Sequence, residues 1–498
     1  MENNPQRSES AENEYMQIRL KKIELMKDEG IQVYPDRFPD ALTCGEAAKL
    51  PAGHEGVRCA GRIISIRKMG KLMFLHIQDI TGKIQIALRK GGISDKTFEL
   101  AKEVLDIGDF IGVEGHIIVT RTGELTIDVT EYMFLSKSLH PLPEKWHGLT
   151  DTEMIYRRRY LDLVMSQHAR TKFLAKSRLI QVMREVFLRN DFIEVETPVL
   201  QCKPSGAMAR PFRTYHEALN MDVYLRIAPE TYLKRLLVGG YNRVFEFARC
   251  FRNEGISADH LQDFTMLEYY VAYWNYEDNM RFTEKLIQEA MEAVTGSTRV
   301  VVAGQEIDFG GNWERVTFRD VIARDAGIDI DEYADADSLL KVIVERNILP
   351  GVPLEELKKL GRGNLLDQLF KKVSRPRMIQ PQFLVGHPID VSPLARSNDK
   401  NPSTVDRFQL IAGGVELVNA YSELADPVDQ RQRFEAQARL RAAGDEEALA
   451  YDEDYILALE YAMPPASGWG MGIDRFMKFL FNEENIKNCV LFPLMRPE

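Results

Sequence analysis

The chain has 498 residues, 45% of them hydrophobic and 28% charged, with a formal net charge of −11. That length gives room for about two to four domains and a substantial core, and the acidic balance argues against a protein that coats nucleic acid nonspecifically. Five scattered cysteines with no CxxC pair exclude a disulfide framework and a zinc site and fit a reducing compartment. The polar start "MENNPQRSESAENEY" has no apolar h-region. No apolar run approaches the roughly 18 residues of a membrane span, so a cytoplasmic protein without a membrane segment is expected.

Residues 13–34 read as a helix carrying Arg19, Lys21, Lys22 and Lys27. "VRCAGRIISIRKMGKLMFLHIQDITGKIQIAL" then makes three β-rich runs punctuated by Gly70 and Gly82. A helical run, "SDKTFELAKEVLD", and two further β-rich runs, "FIGVEGHIIV" and "ELTIDVTEYMFL", follow. Three strands, a helix and two strands within about 80 residues is the pattern of a five-stranded OB-fold barrel. Arg62, Arg67, Lys68 and Lys71 beside Phe74 suit single-stranded nucleic acid, whose phosphates attract cations and whose bases stack on rings. OB barrels also serve as plain interaction modules.

"SLHPLPEKWHGLT" is Pro-rich and reads as a linker, followed by helical "EMIYRRRYLDLV" with Arg157, Arg158 and Arg159. From about residue 170 one large α/β region begins: a helix at 170–190, a strand "FIEVETPVL", then strands "VYLRIA" and "RVFEFARCF". A mostly helical, charged insertion spans roughly 318–376. Strands resume at "FLVG" and "VELVNAYSEL", a charged helix covers 427–444, and "SGWGMGIDRF" leads into the last helix. The expected organisation is a helical extension (1–50), the OB barrel (51–140), a linker (141–170) and a large domain (171–498).

The chemistry concentrates in that last region. "FRNEGISADHLQDFTMLEYY", residues 251–270, reads as two strands joined by a polar loop. Residues two apart on a strand share a face, which aligns Arg252 with Glu254, and Phe264, Met266, Glu268 and Tyr270 with one another. Asn419, Tyr421 and Glu423 alternate in the same way, with Glu416 out of phase, and Glu230 falls where a strand yields to "ETYLKRLL". A pocket with four carboxylates, two tyrosines and an asparagine selects a cationic, hydrogen-bonding ligand. Gly468, Gly470 and Gly472 permit close backbone approach before a helix. Arg475 then lies in that helix's first turn, where its charge opposes the dipole and calls for an anionic or aromatic partner; Asp474 is the bland candidate. There is no GxxxxGK[ST], HExxH or GxSxG, which leaves arginines and carboxylate-held magnesium to handle any phosphate.

From the OB region to the C-terminus, these motifs in order resemble the class II lysyl-tRNA synthetases. "FIEVETPVL" with Pro198 is similar to the first class II motif, a dimer-interface strand; "FRNE" through "FTMLE" is similar to the second, and "GMGIDR" to the third. "PLPEKWHGLTD", "RIAPETYLKRL", "DVSPLAR" and "LFPLMRPE" follow that family's phrasing. The resemblance implies an α+β fold, with the OB-fold barrel followed by a class II catalytic domain on a mostly antiparallel sheet flanked by helices. It implies a homodimer that forms lysyl-adenylate from L-lysine and ATP with Mg²⁺ and charges tRNA(Lys).

By the same resemblance, Arg252 grips the α-phosphate and the lysine carboxylate, Glu254 and His260 serve the adenine, and Phe264 and Arg475 sandwich it. Glu230, with backbone near Gly206, holds the α-ammonium. Tyr270 and Glu423 bind the ε-ammonium, Tyr421 covers the stem, and Glu268 and Asn419 complete the pocket. Glu416 coordinates magnesium, and Phe74, Gln85 and Glu124 contact anticodon bases. The chain departs from the pattern at Asp259, where the family has arginine, and at Gln409, where a second metal carboxylate is expected. The other reading is an altered paralogue that binds RNA or lysylates a protein.

Overall fold

The computed structural model describes residues 5–143, 151–207, 209–442 and 450–497. The chain divides into two compact units, Met1–Arg170 and Thr171–Glu498. In the first, β1 (Val57–Met69), β2 (Leu72–Gln78), β3 (Lys83–Arg89), β4 (Phe110–Val119) and β5 (Leu125–Ser136) close a barrel in the order β1-β2-β3-β5-β4. Side-chain alternation sets its inside and outside: β2 buries Met73, Leu75 and Ile77 and turns Phe74 and His76 outward. The helix Asp95–Val104 starts at Ser94, whose hydroxyl accepts from the Thr97 N–H and so satisfies a free donor of the first turn.

Closing the barrel forces β4 and β5 close together where their register slips between Glu114 and Gly115. A Cβ on Gly115 would overlap the Asp128 carbonyl oxygen, and neither backbone can retreat without breaking the ladder. Gly115→Ala is expected to destabilise this unit by about 1–3 kcal/mol, read as a lower thermal unfolding midpoint. An unchanged midpoint would mean that the strands yield there.

The second unit contains β6 (Ile193–Glu194), β7 (Leu200–Gln201), β8 (Arg213–His216), β9 (Met221–Leu225), β10 (Arg243–Phe251), β11 (Asp263–Ala272) and β12 (Arg299–Val302). It continues with β13 (Gln305–Asp308), β14 (Glu314–Thr317), β15 (Gln382–Val385), β16 (Arg407–Ala412), β17 (Val415–Ser422) and β18 (Ala466–Gly472). Eight strands form one sheet in the order β14-β15-β16-β17-β18-β11-β10-β6. It is antiparallel except at its edges, where β14 pairs with β15 and β6 with β10 in parallel.

One face of the sheet is core. Leu267, Tyr269 and Val271 of β11, with Trp469 and Met471 of β18, pack on Leu179, Met183 and Phe187 of the helix Gln167–Leu188 and on Met280, Leu286 and Ile287 of the helix Tyr276–Thr295. Trp469 stacks on Tyr269 with ring centroids 5.0 Å apart, and Phe187 on Phe245 at 4.7 Å. Each such side chain contributes about 1.5–3 kcal/mol of burial, so this face holds the sheet rigid beneath whatever the other face carries. The insertion's helices form a core of their own around Phe318, Ile343 and Leu366, seated on Leu384 and Ile411 of the sheet.

Several local expectations change. The first helix covers Pro5–Asp28 rather than 13–34, because the chain turns at Gly30 with φ +74°. "EMIYRRRYLDLV" is two helices, Thr152–Arg157 and Arg159–Met165, broken at Arg158. "FIEVETPVL" is no continuous strand; only β6 and the start of β7 pair, since Pro198 between them has no N–H to donate. Residues 144–150, most of the Pro-rich linker motif, lie outside the described residues.

Candidate active site

The other face of the sheet carries the cavity, and glycines make it. In β18 the order Gly468-Trp469-Gly470-Met471-Gly472 sends both large side chains into the core, so by alternation all three glycines face the opposite side. Gly468 pairs with Tyr270 of β11 and Tyr421 of β17, Gly470 with Glu268 and Asn419, and Gly472 with Met266. A bare floor is thereby walled from both sides by polar side chains. In the sequence these glycines read as clearance ahead of a helix; the helix Ile473–Leu480 does follow, but the glycines themselves are a central strand.

The resulting cavity, of about 200 Å³, is lined by Gly206, Glu230, Arg252, Glu268, Tyr270, Glu416, Asn419, Tyr421 and Arg475, among others. Glu230 opens the helix Glu230–Val238 and is 6% exposed. Gly206 faces it at φ +89°, where a Cβ would lie 3.1 Å from the Glu230 Cβ. Tyr421 donates to Glu230 Oε1 at 2.6 Å, and Tyr270 donates to Glu268 Oε2 at 3.0 Å. Burial, with the Glu230 charge nearby, pushes Glu268 well above the usual carboxylate range; a cation entering the cavity would favour its ionised form. Asn419 Oδ1 accepts from Arg407 Nε at 2.9 Å, which turns the amide's donor end away from Arg407. The bulge between β16 and β17, next to Leu417, puts Glu416 on the cavity side out of phase with Asn419.

A second cavity of about 70 Å³ shares Arg252, Met266, Gly472 and Arg475 with the first and adds Glu254, Asp259, His260 and Phe264. Arg252 and Glu254 lie just past the end of β10 rather than on it, so strand alternation does not position them. Arg252 is instead tethered by its N–H to the Gln262 carbonyl at 2.9 Å. Its guanidinium lies 5.1 Å from the Phe264 ring centroid, and its buried Nε has no hydrogen-bond partner. Asp474 is not the partner of Arg475: it is taken by Lys176 and by the Thr265 N–H at 2.8 Å. Burial, together with the Arg475 charge, lowers the pKa of His260, whose Nδ1 lies 2.7 Å from Ser257 Oγ.

This is an acidic, tyrosine-walled cavity joined at Arg252 and Arg475 to a second, smaller slot, on a mostly antiparallel sheet. A family model described as tRNA synthetases class II (D, K and N) matches residues 151–496. The chain belongs to the class II tRNA synthetases. An OB-fold nucleic acid binding domain matches residues 57–135. The lysine–tRNA ligase of Pelotomaculum thermopropionicum is 45% identical over 487 residues, 97% of this chain and 95% of that protein. Those of Aquifex aeolicus and Haemophilus influenzae (strain PittGG) are 44% and 43% identical, each across 97% of this chain and over 78% and 97% of their own lengths.

Two expected residues of this class II synthetase stand elsewhere. Glu423, just past β17, is not among the residues lining the cavity; 2% exposed, it is packed beside Tyr270 over Gly468, in an ion pair with the buried Lys234. Gln409 is buried against His387, its Oε1 3.1 Å from Nε2, and lines neither cavity. Among the described residues no group of three or more His, Cys, Asp or Glu side chains is arranged to hold a metal ion. Glu416 alone fits a magnesium ion that arrives bound to phosphates, since Mg²⁺ takes few protein carboxylates beside them. Gln409 does not fit that role, because it is buried against His387 and lines neither cavity.

Sequence reasoning missed four charged residues here. Arg226 holds Glu246 Oε1 at 2.5 Å, neutralising the carboxylate that pairs across the strands with Glu268. Arg407 orients Asn419, and Lys234 meets Glu230 at 2.6 Å. The last had a signal: Glu230 and Lys234 are four apart on a helix.

On the barrel, Glu124 joins the two residues that flank it in space. Gln85 Nε2 donates to its Oε2 at 2.6 Å, and His76 Nε2 lies 2.7 Å from its Oε1. Phe74 and His76 share the outward face of β2. His76 belongs to this cluster and was not singled out from the sequence.

Proposed function

We propose that this chain activates L-lysine with ATP to lysyl-adenylate and passes the lysyl group to the 3′ end of tRNA(Lys). The observation that carries the reading is the buried acidic cavity opening at Arg252 onto the slot of Glu254, Phe264 and Arg475. A substrate with two ammonium groups and one carboxylate matches that polarity from end to end. Arg252 would hold the lysine carboxylate against the α-phosphate, screening two anions that otherwise repel. A carboxylate oxygen attacks phosphorus, pyrophosphate leaves, and no general base is required because the nucleophile is already ionised. A terminal ribose hydroxyl then attacks the acyl carbon and AMP leaves.

Glu230 and the backbone near Gly206 would take the α-ammonium, and Tyr270, Glu268 and Glu423 the ε-ammonium, with Tyr421 and Asn419 along the stem. Glu254 and His260 would meet the adenine between Phe264 and Arg475. Magnesium, on Glu416, would neutralise phosphate charge. On the barrel, Phe74, Gln85 and Glu124, with His76, would read anticodon bases. Exposed Ile193, Val199 and Leu200 along the first motif support a homodimer interface. Five free cysteines support a cytoplasmic location, and among the described residues no helix is long and apolar enough to cross a membrane.

ATP–pyrophosphate exchange across the standard amino acids tests the reading: lysine alone should support it, and exchange driven by another amino acid would overturn it. Asp259 gives a second test. Burial raises its pKa, but the ion pair with Lys478 outweighs that and lowers it. As a carboxylate it would occupy a cation beside the slot and repel a triphosphate. Asp259→Ala is expected to lower the KM for ATP by about twofold to fivefold, the scale of one exposed ion pair. A KM that rises would give Asp259 a role in binding instead.

A further inference from the structure

Lys234 is a cation placed inside the wall of the acidic cavity. It projects from the helix Glu230–Val238, and its side chain is fully buried. Nζ donates to Glu230 Oε1 at 2.6 Å and forms an ion pair with Glu423 through Oε2. The ring centroids of Tyr421 and Tyr455 lie 5.5 and 5.8 Å away. Burial alone would lower its pKa, but the two carboxylates outweigh this and hold it well above its ordinary value. Lys234 is therefore charged, and it takes one oxygen from each of two carboxylates.

The other oxygen of Glu423 is the informative one. Oε1 is buried and no side chain hydrogen-bonds to it, the Gly468 backbone being the neighbour that helps hold the carboxylate ionised. It lies where a Cβ on Gly468 would fall, and Gly468 is part of the bare cavity floor. A buried carboxylate oxygen short of partners is costly, and the missing side chain of Gly468 is what gives Oε1 its place on the cavity face.

Taking the cavity as the lysine site proposed above, we infer that Lys234 is a positioning and specificity-determining residue. Its ammonium ties down Glu423 Oε2 and Glu230 Oε1, so that Glu423 Oε1 is presented across Gly468 to the substrate's side-chain ammonium. The resident cation also opposes the rise that burial gives the Glu423 pKa, and so favours its ionised form ahead of the substrate's charge.

The test compares lysine with norleucine, which lacks the ε-ammonium, in ATP–pyrophosphate exchange by the full-length protein. Lys234→Met is expected to raise the lysine KM on the order of thirtyfold or more, the scale of leaving a buried charge partner unpaired. The KM for ATP should stay within about twofold, and lysine-over-norleucine discrimination should fall by a similar thirtyfold. A merely structural lysine would affect both amino acids and ATP alike, and that result would overturn the inference. Should Lys234→Met not fold, the double variant Lys234→Met/Glu423→Leu removes the pair together, the change that buried ion pairs tolerate. It should favour norleucine; retained preference for lysine would overturn the inference. Failure of the unaltered protein to use lysine would instead overturn the functional reading, and this one with it.

Discussion

Arg252→Ala is expected to cut lysine-dependent ATP–pyrophosphate exchange by on the order of a hundredfold or more, the scale of losing a preorganised charge partner in the transition state. Arg252 stands where the two cavities meet, so both the carboxylate and the α-phosphate would reach it. Its buried Nε has no partner within the protein, which marks the guanidinium as held for a ligand rather than for the fold. The thermal midpoint should therefore change little, while the chemical step collapses. Arg252→Lys should recover only part of the loss, since an ammonium cannot present a planar fork to two anions at once. Near-normal exchange by the alanine variant would remove Arg252 from the reaction.

Glu423→Gln is the second large effect. The substitution keeps the shape of the side chain but replaces a carboxylate oxygen, buried over Gly468 of the cavity floor, with a neutral amide group. Burial holds the Glu423 pKa above the usual carboxylate range, with the Lys234 charge opposing that rise; an incoming ammonium adds to Lys234 in favouring the ionised form. The glutamine has no charge to offer either cation. The KM for lysine should rise by about tenfold to a hundredfold, within the span measured for truncating buried charge pairs, and the KM for ATP should stay near its original value. Lys234 keeps Glu230 at 2.6 Å, so the protein should still fold. An unchanged lysine KM would place the ε-ammonium elsewhere, against Glu268 and Tyr270 alone.

The two variants separate the halves of the site. Arg252 acts on the reacting centre and should move the rate with both substrates bound; Glu423 acts on one end of one substrate and should move its binding. Asp259, paired with Lys478, lines the slot and not the acidic cavity, and its smaller effect should be confined to ATP.

Much of this site follows from periodicity. Alternation places Glu268 with Tyr270 and Asn419 with Tyr421 on shared faces; the off-phase Glu416 either points elsewhere or precedes an irregularity, and the register shift between β16 and β17 decides for the second. The same reasoning fails at Arg252 and Glu254, because the strand ends at Phe251 and the loop beyond is held by a long-range bond to Gln262. It fails again at Glu423. Period two aligns that residue with Tyr421, yet it lies one position past the end of β17, where a buried lysine from a helix far away in sequence claims it.

By itself, then, the order of residues determined the local periods, the OB pattern, the motif series and the acidic character of the site, because hydrogen-bonded strands impose a two-residue repeat wherever they form. Only the tertiary structure decided which strands became neighbours. That choice put three glycines of β18 between two polar strands as a cavity floor, set Lys234 between Glu230 of its own helix and the distant Glu423, and buried Gln409 against His387. Charge pairing and steric clearance act through space at a few ångströms, between residues that chain order leaves up to about two hundred positions apart.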